Sequence, residues 1–154
     1  MRIGAASDIA GTILAPAGVI DLLGDGHVLR STAALRAPGA VLVTSRTVKD
    51  GRELLDGEVL AGGSIGISAR DFITIEKGAL LDVSGTRFTF DLPVANANGV
   101  SVRTPTLMAS DGGSISITSL ILDVNDATML ARAGGTTARG GALTLGVATG
   151  YQPQ

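Results

Sequence analysis

Gly62-Gly63-Ser64-Ile65-Gly66-Ile67-Ser68 decides how this chain is read. It recurs almost unchanged as Gly112-Gly113-Ser114-Ile115-Ser116-Ile117-Thr118 and more loosely as Gly140-Gly141-Ala142-Leu143-Thr144-Leu145. In each copy a glycine pair precedes alternating small polar and branched apolar residues, the period-two pattern of a strand with one buried face. The copies start 50 and then 28 positions apart. Self-similarity on this scale marks a repeat architecture.

Outward from the first copy, Phe72-Ile73-Thr74-Ile75 and Ala79-Leu80-Leu81-Asp82-Val83 continue the extended pattern, set apart by Ala69-Arg70-Asp71 and Glu76-Lys77-Gly78. That makes three short strands in one unit. A second unit is read in residues 88–92, 100–103 and 106–109, with residues 93–99 as a protruding loop. A third is read in residues 114–118, 120–124 and 128–133. Dividing the 50-position gap between two units gives about 25 residues each, and three strands of ordinary length in that span make one coil of a parallel β-helix. Ile65 and Ile115 then stand two coils apart in a common interior, within ladders that also hold Ile67, Ile117, Leu143 and Leu145.

Upstream, Pro16-Ala17-Gly18 and Ala37-Pro38-Gly39 read as corners between strands, because proline fixes its own φ and has no N–H to donate. Residues 45–56 hold much charge and no clean period. They are predicted to protrude as a loop, with a helical turn at residues 52–55. Residues 148–154 read as a frayed tail, and the remainder of 1–154 as a single β-helical segment. An antiparallel sandwich is the competing all-β reading, but Asp-Gly and Asn-Gly pairs are too few to turn every pair of strands.

Composition agrees with flat, stacked elements. The 154 residues are 45% hydrophobic but only 3% aromatic, with 22 glycines and no tryptophan, so the core must be built from Ile, Val, Leu and Ala. A formal net charge of -2, without a basic stretch, argues against nucleic-acid binding. The absence of cysteine excludes disulfides and thiol catalysis. No apolar run approaches the ~20 residues of a membrane span, and residues 1–8 lack the apolar run of a signal peptide. No membrane insertion is expected.

At the glycine-pair units the chain resembles the filamentous-haemagglutinin-like large exoproteins of Gram-negative bacteria, adhesins exported by two-partner secretion. The residues that carry the resemblance are Gly62-Gly63-Ser64-Ile65 with Gly78-Ala79-Leu80-Leu81-Asp82-Val83-Ser84-Gly85, and Asp111-Gly112-Gly113-Ser114-Ile115-Ser116-Ile117 with residues 130–135 and 140–145. The resemblance implies a right-handed, single-stranded parallel β-helix (β-solenoid) from an adhesin shaft. It implies an extracellular or cell-surface location within a longer parent, an outer-membrane secretion partner for that parent, and a host-cell or neighbouring-cell glycan or protein as ligand. It supplies no binding residue. The asparagine-proline motifs of the family's secretion domain have no counterpart here.

Candidate chemistry is sparse. His27, the single histidine, reads as a strand-end surface residue beside a glycine turn, and one histidine without cysteine cannot assemble a usual zinc site. Asp82 and Asp123 occupy analogous places in Leu-Leu-Asp-Val and Ile-Leu-Asp-Val, and two carboxylates on one face could serve as acid and base in a carbohydrate-active β-helix enzyme. Scattered single acids read more simply as outward strand residues. Asp123, Asn125 and Asp126 lack the glycine and later acid of a calcium loop. Residues 134–141 lack the Lys-Ser/Thr of a phosphate loop, so they read as a corner extension, with Arg132 and Arg139 as solvated charges beside it. The expectation is therefore a non-enzymatic structural and binding module with no catalytic, cofactor or metal residue. The alternatives are a hydrolase or lyase using surface carboxylates, and a truncated exoprotein fragment without independent function.

Overall fold

The structure, a computed structural model, describes residues 6–148. Strands and no helix fill them: β1 (Ala6–Ile9), β2 (Thr12–Leu14), β3 (Val19–Leu29), β4 (Ala34–Arg36), β5 (Ala40–Lys49), β6 (Arg52–Leu60), β7 (Ser64–Ile75), β8 (Leu80–Asp82), β9 (Arg87–Ala95), β10 (Ser101–Ala109), β11 (Ser114–Ser119), β12 (Ile121–Val124), β13 (Thr128–Leu130) and β14 (Ala142–Val147). One parallel sheet has the order β1-β3-β7-β11-β14, with β12 also paired to β7. A second parallel sheet has the order β13-β8-β4-β2, and β5–β6 and β9–β10 form separate antiparallel hairpins. The molecule is all-β, and its chain passes repeatedly from the first parallel sheet to the second and back. Each such passage is termed a rung below.

The alternation read from the glycine-pair motifs sets this register. Ile20, Ile65, Ile115 and Leu143 are successive partners across the first sheet, as are Leu22, Ile67, Ile117 and Leu145. Ile65, Ile67, Ile115 and Ile117 are fully enclosed between the sheets with Leu29, Leu35, Ile73, Ile75 and Leu81. Burial of each such side chain contributes roughly 1.5–3 kcal/mol, enough for aliphatic ladders to hold a core without aromatic anchors. Leu143 and Leu145 continue both ladders but are 52% and 51% exposed, because no further described strand covers them.

The register corrects the division into coils of about 25 residues. Ile115 pairs directly with Ile65, so the two residues lie on adjacent rungs and the 50-position gap contains one rung plus a hairpin. Residues 88–109, read as a unit of the stack, are that hairpin. An uninterrupted rung is shorter, since Ala6 pairs with Gly26 and Ile9 with Leu29.

Two local expectations change as well. The Ala69-Arg70-Asp71 interruption does not end a strand: β7 runs through it, and the partners shift from Gly24↔Ala69 to Gly26↔Phe72. A bulge absorbs the charged residues without abandoning the ladder. The helical turn expected at residues 52–55 is strand β6, because Asp50 and Gly51 both take positive φ (51° and 75°) and reverse the chain in a two-residue hairpin turn. Residues 45–56 thus lie within the first hairpin, and residues 93–99 span the end of β9 and the turn into β10. Of the tail read at residues 148–154, all but Ala148 falls outside the described residues.

Candidate functional site

The two hairpins leave the stack at equivalent corners of adjacent rungs. Below the first, the Gly63 N–H donates to the Ala37 carbonyl at 2.7 Å; below the second, the Gly113 N–H donates to the Val83 carbonyl at 2.7 Å. Each bond joins the residues flanking a hairpin, so the rung closes as though nothing had been inserted. The glycines are required at these closures. A Cβ on Gly63 would lie 1.8 Å from the Gly18 carbonyl oxygen, and one on Gly113 would lie 1.8 Å from that of Gly63.

Because the corners are stacked, the hairpins rise side by side and share a small core. Phe90 is fully buried there, its ring 4.9 Å from that of Phe88 and tilted by 51°. Gly57 supplies the space, since a Cβ at that position would meet the Phe90 ring at 2.6 Å. Phe90, one of the chain's three phenylalanines, is therefore spent on joining the hairpins, not on the stack.

Polar groups complete the junction. The buried Asp91 carboxylate accepts the Leu55 backbone N–H at 3.0 Å and Arg52 Nη2 at 3.2 Å. Asp56 accepts from Ser45 Oγ at 3.1 Å and from Arg103 Nη1, which also donates to the Asp91 carbonyl at 2.9 Å. The Arg103 hydrogen bond holds the Asp56 carboxyl below its usual range against the opposing effect of desolvation, with help from Ser45. Near the hairpin ends, Lys49, Asp50, Arg52, Leu54, Ser101, Val102 and Arg103 line a cleft of about 560 Å³. Cations, an acceptor, a hydroxyl and apolar side chains converge there.

A second hollow, lined by Ala17, Gly18, Val19 and the stacked glycine pairs with Ser64, Ser114 and Ala142, has similar volume but is an open trough along the corners. It presents backbone and small side chains, with no charged group.

The residues weighed from sequence do not assemble into a site. His27 is a correction: it is 3% exposed, not at the surface. Its Nδ1 lies 2.5 Å from Ser7 Oγ and its Nε2 3.2 Å from the Ser68 carbonyl oxygen, so the ring ties β1, β3 and β7 together. Nε2–H donates to the Ser68 carbonyl, which can only accept, and Nδ1 is bonded to the Ser7 hydroxyl.

Asp82 also differs from an outward strand residue, being 7% exposed. It accepts the Ser84 N–H at 3.0 Å and faces Arg36 Nη2 at 3.3 Å. Burial pushes its pKa up, but the Ser84 bonds and Arg36 together outweigh that and hold the carboxyl below its usual range. Asp123 lies exposed on the other parallel sheet, opposite Thr74, so no shared face unites the two acids.

Asp126 pairs with Lys77 at 3.0 Å, and Asn125 uses its N–H on the Ile75 carbonyl. Among the described residues no group of three or more His, Cys, Asp or Glu is placed to hold a metal ion. Asp111 Oδ1 accepts the Arg139 N–H at 2.7 Å and fixes the 134–141 corner; Arg132 and Arg139 are exposed.

The junction residues Arg52, Asp56, Asp91 and Arg103 were not singled out from sequence. Their signal lay in the Asp50-Gly51 and Asn98-Gly99 pairs, which flank extended runs and mark hairpins. No protein-family model, curated protein or solved structure matches this chain.

Proposed function

We propose that the chain is a right-handed, single-stranded parallel β-helix, or β-solenoid, from the shaft of a secreted or surface-exposed bacterial adhesin, and that it works by binding without catalysis. The observation that carries this reading is the pair of hairpins raised from adjacent rungs and locked together by Phe90, Asp91 and Arg103. A repetitive stack needs no such projection for its own closure, because Ala37–Gly63 and Val83–Gly113 already close the rungs beneath it. Structure added outside the stack is suited to contact with something else.

The ligand in this reading is a glycan or protein on a host or neighbouring cell. Export of the parent through an outer-membrane secretion partner follows from the family resemblance of the glycine-pair motifs. Asp82 and Asp123 stand on different sheets, which supports a binding role over a hydrolase or lyase built on that pair.

Binding of epithelial or bacterial cells to the immobilised chain tests the function. A companion chain would have residues 40–60 and 87–109 replaced by short glycine-serine links. The expected result is cell binding by the full chain and its loss in the companion, with cooperative unfolding retained in both. Equal binding by the two chains, or none by the full chain, would overturn the reading.

A further inference from the structure

The cleft near the hairpin ends has a composition that selects among ligands. Arg52 and Arg103 are each held from the junction side: Arg52 Nη2 by the buried Asp91 carboxylate, and Arg103 Nη1 by Asp56 and the Asp91 carbonyl. A guanidinium carries five N–H donors, so both retain donors beyond the junction, in an orientation already fixed by those bonds. Lys49 adds a third cation to the lining and makes no ion pair among the described residues.

A purely anionic ligand would not explain the rest of the lining. Asp50 offers a carboxylate acceptor, Ser101 a hydroxyl, and Leu54 and Val102 apolar surface. Donors, acceptors and apolar walls together suit a ring that bears hydroxyls on its edge, C–H bonds on its face and one carboxylate. The volume of about 560 Å³ lies within the range of small-molecule sites and accommodates a ligand of one or two rings.

We infer that this inter-hairpin cleft is a binding site for a carboxylated saccharide, with Lys49, Arg52 and Arg103 receiving the carboxylate and Asp50 and Ser101 receiving hydroxyls. The inference rests on the adhesin reading for its biological setting and deepens it by assigning the ligand class. It does not share that reading's test, since soluble sugars report on the cleft whether or not cells bind.

The test is titration of the full chain by calorimetry and by NMR, with 3′-sialyllactose and digalacturonic acid as carboxylated probes and lactose as the neutral one. Saturable binding of at least one carboxylated probe, and none of lactose at the same concentration, is expected. Lys49→Gln and Arg52→Gln should each weaken it tenfold or more. Lys49→Gln should leave thermal unfolding unchanged, which separates loss of the site from loss of the fold. Absence of saturable binding, equal affinity for lactose, or indifference to both substitutions would overturn the assignment. Loss of sugar binding with cell binding intact would refute the cleft and leave the adhesin reading standing.

Discussion

Gly113 stands directly above Gly63: the Ser114 N–H donates to the Gly63 carbonyl at 3.0 Å, and a Cβ on Gly113 would lie 1.8 Å from that oxygen. A methyl group there cannot be accommodated without moving backbone. Gly113→Ala should therefore destabilise the chain by about 1–3 kcal/mol or more, the usual cost of forcing atoms into a packed site. Gly11→Ala is the control, since nothing lies within 4 Å of the added Cβ, and it should stay within about 0.5 kcal/mol. Denaturant midpoints measure both.

The interior ladders give a second contrast. Ile117→Asp places a carboxylate in a site with no accessible surface and no partner, and should abolish cooperative unfolding. Leu145→Asp, on the same ladder but half-exposed, should leave a folded protein with a lowered midpoint. Circular dichroism during heating distinguishes them, and equal effects would contradict the assignment of Ile117 to the interior.

Asp82 supplies a pH dependence. Its folded-state pKa lies below the ordinary value of 3.8, so its stabilising contribution is present above that value and is lost as pH falls through the lower, folded-state pKa. Asp82→Asn should cost about 1–2 kcal/mol at neutral pH, in line with loss of charge-assisted hydrogen bonds to Ser84 and Arg36. The difference from the unaltered chain should close as the pH is lowered below 3.8. Asp123→Asn, at an exposed position, should change stability by less than about 0.5 kcal/mol at either pH.

The hairpin junction should fail independently of the stack. Phe90→Ala removes a fully buried ring, a change that costs about 3–5 kcal/mol where the surroundings cannot collapse. Amide exchange should accelerate in β5, β6, β9 and β10 while the amides of Ile65, Ile67, Ile115 and Ile117 keep their protection. Uniform acceleration would show that hairpins and stack open as one unit.

What the sequence made legible was the stack. Ile65, Ile67, Ile115 and Ile117 alternate with small polar residues behind glycine pairs, and the buried face follows from that local pattern, whereas the pairing does not: the pattern sets Ile65 and Ile115 two coils apart and they are direct partners. The rung length was not legible, because an inserted hairpin of alternating residues has the same period as a strand of the stack. Only the Asp50-Gly51 and Asn98-Gly99 turns set it apart. The junction was less visible still: Asp91 and Arg52, or Asp56 and Arg103, are paired by the stacking of two corners and have no spacing rule in the chain. His27 likewise reads as a strand-end surface residue until β1 is laid beside β3, which brings Ser7 to its ring.

The two hairpins also bear on how the chain finds its fold. Ser64 must meet Ser114 across 50 positions, and closing a loop costs about 0.6 kcal/mol more for each doubling of its length. A hairpin forms in microseconds from neighbouring residues, before most long-range pairing. Once β9 and β10 have zipped together from Ala95–Ser101 to Arg87–Ala109, Thr86 and Ser110 are held side by side by hydrogen bonds of 2.8 and 2.9 Å. The polymer left to search is then little longer than an uninterrupted rung. Each insertion acts as its own splint, so lengthening a hairpin adds little delay to the docking of the next rung.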